Sequence, residues 1–186
     1  MRIISGYCKG KKIYLPKDKK TRPLRDIVKE SIFNILNHSN NLSFRIEDSE
    51  VLDLFSGSGS FGLECISRGA KKVFFGENYA EAIKILKKNI NFLNCEDKSL
   101  LIELDCFEID NFLKKSNQKF DLIFLDPPFK DKKVNLLLLK ILDLKILKKN
   151  GIIIIHKENV KSDQFTEKFK ILESRSYGIS KIIFGN

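Results

Sequence analysis

The sequence predicts an α/β fold: a mostly parallel, seven-stranded sheet with helices on both faces. A C-terminal antiparallel hairpin and a small N-terminal β-hairpin and helix extension complete it. Three observations predict this. From residue 51 onward, short apolar runs alternate with stretches whose apolar residues recur at helical spacing, and repeated strand–helix units require a parallel sheet covered on both sides. The first run opens into a glycine-rich turn, Ser56-Gly57-Ser58-Gly59. The fourth run, Leu122-Ile123-Phe124-Leu125, stops at Asp126-Pro127-Pro128-Phe129, where two prolines forbid both helix and ladder. In an open parallel sheet, ligands bind beyond the carboxyl ends of the strands, where both of these turns fall.

The elements follow in order. RIIS and KKIYLP, set around Gly6 and Gly10, read as a hairpin or a pair of short strands. Thr21 offers an N-cap, with Pro23 near the first helical turn. Leu24, Ile27, Val28, Ile32, Ile35 and Leu36 then form one apolar helical face, and Arg22, Arg25 and Lys29 share another. A polar stretch over 38–50 connects this arm, residues 1–40, to a main domain over 41–186. In that domain the periodicities predict strands over 51–55, 71–77, 99–104, 120–125 and 151–156, and helices over 60–68, 79–93, 107–115 and 133–147. A last helix over 162–169 leads to strands 171–176 and 179–184, with Tyr177-Gly178 as their tight turn. That hairpin places one antiparallel strand in the sheet.

Composition narrows the function. At 186 residues, 42% apolar and 31% charged, the chain has the makeup of a soluble globular domain. No apolar run approaches membrane-spanning length, and the first ten residues are too interrupted for a secretory leader. Cys8, Cys65, Cys95 and Cys106 lie far apart, and His38 and His156 are the two histidines, so neither a metal cluster nor a disulfide framework is expected. These features point to a cytoplasmic, metal-free protein, and a monomer is the simpler expectation. Net charge is +10, and it is unevenly spread: the first 30 residues hold ten Lys and Arg against three acids. A positive end on a nearly balanced body is an electrostatic footprint for a polyanion, and nucleic acid fits it.

Two motifs carry chemistry. Asp53-Leu54-Phe55-Ser56-Gly57-Ser58-Gly59 follows a strand and opens a helix, and Glu77 falls twenty residues after Gly57 at the end of the second strand. Glycines there let a ligand approach the backbone, the helix N-terminus favours negative charge, and the acid suits a ribose hydroxyl. The pattern accommodates both NAD and S-adenosylmethionine. The Asp126-Pro127-Pro128-Phe129 turn chooses between them. A planar amino nitrogen has its lone pair delocalised into its ring. A carboxylate and a backbone carbonyl can hold its N–H groups and turn the lone pair toward a methyl donor, while an aromatic ring stacks on the base. Hydride transfer has no evident use for such a loop.

Together these motifs resemble the Rossmann-like, class I S-adenosylmethionine-dependent amino-methyltransferases. At the N-terminus, RIISGYCKGKKIYLP followed by TRPLRDIVKESIFNIL resembles the bacterial 16S rRNA guanine-N2 methyltransferases of the RsmD type, as do LDLFSGSGSFGLECISRGAKKVFF and the closing YGISKIIF. The resemblance covers nearly the whole chain. It implies that Asp53, Phe55, Gly57 and Gly59 line the methionine end of S-adenosylmethionine, that Glu77 binds the ribose, and that Asp105 and Cys106 flank the adenine. It also implies that Asp126, Pro127 and Phe129 form the guanine site, bordered by Arg22 and Pro23, with Arg25 and Lys29 on the RNA side. Four positions depart from the family pattern. Leu24 stands for Thr, Lys29 for Arg and Tyr79 for an acidic or amide residue, and His156 stands where an acid is common, with Glu158 close by.

The expected function is methyl transfer to a guanine N2 of 16S ribosomal RNA, with the small ribosomal subunit as partner. Competing readings are an amino-methyltransferase for a DNA base or a protein glutamine, a non-catalytic ribosome-assembly factor, and, on the bare glycine pattern, an NAD-linked oxidoreductase.

Overall fold

The computed structural model describes residues 1–18, 23–129, 133–160 and 165–186. Seven strands form one sheet: β1 Glu50–Leu54, β2 Lys72–Glu77, β3 Ser99–Glu103, β4 Phe120–Leu125, β5 Leu147–Glu158, β6 Ile171–Tyr177 and β7 Ser180–Gly185. Their spatial order is β3-β2-β1-β4-β5-β7-β6, and β7 alone runs antiparallel to its neighbours. Five helices are described: α1 Asp26–His38, α2 Ser60–Ser67, α3 Ala80–Leu93, α4 Asp110–Ser116 and α5 Val134–Asp143. The central strands are apolar on both faces because both faces are covered. Leu122, Phe124, Ile152 and Ile154 pack with α1, α2 and α3, whereas Ile123, Leu125, Ile153 and Ile155 pack with α4 and α5.

The arm has no core of its own. Ile3, Cys8, Ile13, Val28, Ile32 and Phe33 join the same apolar cluster as the sheet residues of that face. Its first residues form the expected hairpin-like pairing, with one antiparallel bridge between Arg2 and Lys12 and amide bonds from Ile3 to Lys11 and from Gly10 to Ile3. Polar bonds fasten it as well: the buried Asn89 of α3 accepts from the Tyr14 amide at 2.7 Å and donates to the Tyr14 carbonyl at 3.0 Å.

Several expectations require correction. The α1 helix starts at Asp26, with Arg25 in the N-cap position and no side-chain cap. Pro23 therefore precedes the helix, and Thr21 lies outside the described residues. Ile27, assigned to the apolar face, is 66% exposed, while Phe33 is buried in its place. Lys29 is fully buried instead of sharing an exposed basic face. The α5 helix ends at Asp143, because Lys145 takes a left-handed conformation (φ 51°) and β5 begins at Leu147. No helix covers 165–169: the described part of the proposed last helix is a turn closed by the Phe169 amide on Thr166. The final hairpin turns on Gly178-Ile179, because Tyr177 pairs with Ser180. No described helix is long and apolar enough to cross a membrane.

Candidate active site

Parallel register brings the carboxyl ends of four strands to one edge. Leu54 pairs with Gly76 and with Leu125, and Leu125 pairs with Ile155. The loops that leave those ends meet there, and the Asp126 amide donates to the Leu54 carbonyl at 3.3 Å. A cleft opens between them, lined by Asp53, Phe55, Gly57 and Asp126, and by Pro16, Pro23 and Leu24 of the arm.

The glycine loop is built by backbone geometry. Phe55 adopts φ 61°, uncommon for a bulky residue and typical of strain kept at functional sites. Its amide donates to the Cys106 Sγ at 3.3 Å, and its ring tilts onto Phe107 at 5.0 Å. Gly57 has φ 54° and open space where a Cβ would stand, so its backbone presents a bare cradle. Gly59, at φ 81°, caps α2 with Leu86 2.4 Å from where a Cβ would lie. Glu77 organises the loop: Oε2 accepts from the Gly57 amide at 2.8 Å, and Oε1 accepts from the Asn78 and Tyr79 amides at 3.0 and 2.9 Å. A carboxylate offers about four acceptor positions, so room remains for a sugar hydroxyl.

Asp53 is buried, and its Oδ2 accepts from the Gly62 amide at 2.9 Å in the first turn of α2. Burial holds its carboxyl well above the ordinary value, against the pull of the Gly62 bond, and the charges of Asp126 and Glu77 push the same way as burial. Asp105 is exposed and caps the 3₁₀ turn Cys106–Glu108 through Phe107. Cys106 is buried, and burial pushes its thiol up to about 12, so it is a packing group and not a nucleophile.

These residues fit a nucleoside-bearing cofactor. The bare Gly57 backbone, the N-terminus of α2 and the Glu77 carboxylate supply an approach surface, a positive helix end and a hydroxyl acceptor. Among the described residues, no group of three or more His, Cys, Asp or Glu could hold a metal ion.

Beyond β4, Pro127 is buried and Asp126 and Phe129 are partly exposed. Sequence reasoning missed their partner. The His156 ring, 3% exposed, places Nδ1 2.8 Å from Asp126 Oδ1 and meets the Phe129 ring edge-on at 5.3 Å between centroids. The signal was present: His156 lies two residues beyond Ile154 and points to the same side of β5, one step past the Leu125–Ile155 pair.

The RNA-facing set divides. Pro23 lines the cleft, and Arg25 is exposed, with Nη2 3.5 Å from the Tyr177 carbonyl. Arg22 lies outside the described residues. Lys29 does not reach the surface: its Nζ donates to the Arg2 carbonyl at 2.8 Å and sits 3.6 Å from Glu64 Oε2 and 3.8 Å from Asp26 Oδ1. Burial lowers its pKa, and the two acids oppose that.

Comparison with known proteins places the chain. All of it, residues 1–186, matches the family described as Conserved hypothetical protein 95. The Ribosomal RNA small subunit methyltransferase D of Haemophilus influenzae is 34% identical over 180 residues, 96% of this chain and 90% of that one. Its counterpart from Buchnera aphidicola subsp. Baizongia pistaciae is 34% identical over 166 residues, 86% and 76% of the two chains. The crystal structure of Haemophilus influenzae HI0767 superposes with a TM-score of 0.78 at 32% identity, covering 99% and 96%. Escherichia coli yhhF does so at 0.83 and 25%, covering 100% and 96%. The chain belongs to this family and has its Rossmann-like methyltransferase fold.

Proposed function

We propose that the chain transfers a methyl group from S-adenosyl-L-methionine to the exocyclic N2 of a guanine in 16S ribosomal RNA. The observation that carries this reading is one cleft with two kinds of wall. The glycine loop after β1 forms the first, and Asp126 after β4 faces it across the same space. Two members of the family at 34% identity carry the name Ribosomal RNA small subunit methyltransferase D, which supports RNA as the substrate class. S-adenosylmethionine supplies an electrophilic methyl on a sulfonium when bound.

Every other part of the work falls to the chain. The Gly57 backbone, Glu77 and Asp105 hold the cofactor. Asp126 and the Pro127 carbonyl accept from the amino N–H groups and turn the nitrogen lone pair toward the methyl. Phe129 stacks on the base and fixes its plane. Rate enhancement is then mainly positioning plus electrostatics. The target base must leave its stack to enter, and the positive arm grips the phosphates on either side. The substrate is ribosomal RNA, free or in the small subunit, and the chain acts in the cytoplasm without a metal.

The test is radiolabelled methyl transfer to 16S RNA and to small subunits lacking the mark, followed by mass-spectrometric mapping of the modified nucleotide. Label on a guanine N2 is expected. Label on another base or on protein, or none at all, overturns the reading.

A further inference from the structure

We infer that His156 is a positioning residue for the methyl-acceptor clamp: its Nδ1–H orients the Asp126 carboxylate while its ring edge fixes Phe129. This rests on the methyl-transfer reading. Two contacts carry it, because one buried imidazole touches both walls of the proposed base site, Asp126 at 2.8 Å and Phe129 at 5.3 Å between ring centroids.

The tautomer follows from what the other nitrogen lacks. His156 is 3% exposed, and Nε2 is buried with no hydrogen-bond partner among the described residues. Three arrangements are possible. An imidazolium would bury an unpaired N–H on a charged ring. A neutral ring protonated at Nε2 would also orphan an N–H, and it would need a protonated Asp126 to donate to Nδ1. A neutral ring protonated at Nδ1 leaves only a bare lone pair buried, and it donates to the carboxylate. Orphaned buried N–H groups are the rarer defect, and each of the other two arrangements carries one, so the third arrangement wins.

The imidazole is therefore a fixed donor. A proton taken up at the sealed Nε2 has no described partner to receive it, so the ring orients and does not relay. A carboxylate has about four acceptor positions, so Asp126 can take this bond and still accept from an amino group.

Substitutions separate the two contacts. His156→Phe keeps a ring against Phe129 and removes the donor. His156→Asn keeps an N–H donor at the Nδ1 position and removes the ring. With 16S RNA as substrate, His156→Phe is expected to lower kcat about ten- to hundredfold with the KM for S-adenosylmethionine unchanged, as befits loss of a bond to a charged group. The expectation for His156→Asn is a kcat within about threefold of wild type and a raised KM for RNA. Thermal melting and calorimetry with S-adenosylmethionine check that both variants fold. A His156→Phe variant with wild-type kcat, or two folded variants with the same defect, overturns the inference.

Long-range ¹⁵N NMR of the ring tests the pair without turnover. Wild type is expected to show Nδ1–H and a bare Nε2, a pattern lost in Asp126→Ala. An Nε2–H tautomer or an imidazolium at neutral pH overturns the inference. Absence of methyl transfer by wild type would instead refute the function, while the NMR still decides the His156–Asp126 pair.

Discussion

Two buried polar constellations sit in this fold and differ in whether their carboxylate faces the cleft. In the first, Glu64 of α2 accepts from the Ile4 and Ser5 amides at 2.7 and 2.9 Å and from Arg68 Nε at 2.8 Å, with Lys29 Nζ 3.6 Å away. Both Glu64 oxygens are occupied, while Asp26 Oδ1, 3.8 Å from the same Lys29 Nζ, accepts no hydrogen bond from a described residue; the cluster fastens the arm and α1 onto α2. In the second, Asp126 and His156 share one bond, and the imidazole keeps a buried nitrogen without a described partner. A carboxylate as fully occupied as Glu64 has nothing left to offer a ligand. The Asp126 carboxylate lines the cleft, whereas the Glu64 carboxylate is fully enclosed.

The largest expected effect breaks the first constellation. Glu64→Ala leaves the buried Lys29 with only the longer 3.8 Å contact to Asp26 as its acidic partner and leaves the Ile4 and Ser5 amides unpaired, which costs about 3–5 kcal/mol of stability by urea denaturation. Lys29→Met is expected to cost far less, because Glu64 keeps Arg68 and both amides while a buried charge is removed. Equal losses in the two variants would show that the lysine, and not the carboxylate, is the centre of the cluster.

Breaking the second constellation should separate activity from stability. Asp126→Ala is expected to lower methyl transfer about 10²–10³-fold. Its stability should fall by about 1–3 kcal/mol, less than that of Glu64→Ala, because the substitution leaves one buried donor, the His156 Nδ1–H, without its partner. A drop in melting temperature matching that of Glu64→Ala, with activity per folded molecule retained, would place Asp126 in the scaffold.

Asp53 stands between the two, buried like scaffold and lining the cleft like a site residue. Its carboxyl is held above the ordinary 3.8 by burial, so the folded chain binds more protons than the unfolded one over the interval above that value. The stability this group contributes is complete below 3.8 and is lost as pH rises through the folded value. Asp53→Asn cannot titrate, and its amide oxygen can still accept from Gly62. The variant is expected to lose less stability than wild type on going from pH 4 to pH 8, while binding S-adenosylmethionine more weakly. Parallel pH profiles would mean that Asp53 is already solvated in the folded chain.

The same contrast separates what was legible in the sequence. Strands 51–55, 71–77 and 120–125 were legible because buried parallel strands are continuous apolar runs, and the glycine turn because few residues tolerate its backbone. The turn after β4 was legible because two prolines leave few alternatives. Lys29 was misread because helical spacing groups side chains by angle but does not say what packs outside them; α2 and the first residues of the arm bury that face. Ile27 was misread for the same reason. His156 was seen only as a departure from a pattern, because its partner is 30 residues away and is brought near by strand register alone. The helix expected over 162–169 is absent from its described part, 165–169, where Phe165 and Phe169, at a spacing that also suits a helix, pack ring to ring at 5.5 Å across a turn.

The smallest expected effect tests whether exposure, and not mere positive charge, makes a residue of the arm an RNA contact. Arg25 and Lys29 lie one turn apart at the start of α1, one exposed and the other buried. Each cation that neutralises a phosphate releases counterions and adds about 0.7 to 0.9 to the salt dependence of binding. Arg25→Ala should therefore weaken 16S RNA binding several-fold at low salt and reduce the slope of log K against log salt by about 1. Lys29→Met should leave that slope unchanged, since its Nζ is spent on the Arg2 carbonyl and Glu64 and faces no solvent. Filter binding across a salt series on the two variants measures both slopes. Equal reductions would mean that Lys29 reaches RNA after the arm opens, and an unchanged slope in Arg25→Ala would move the phosphate track off the start of α1.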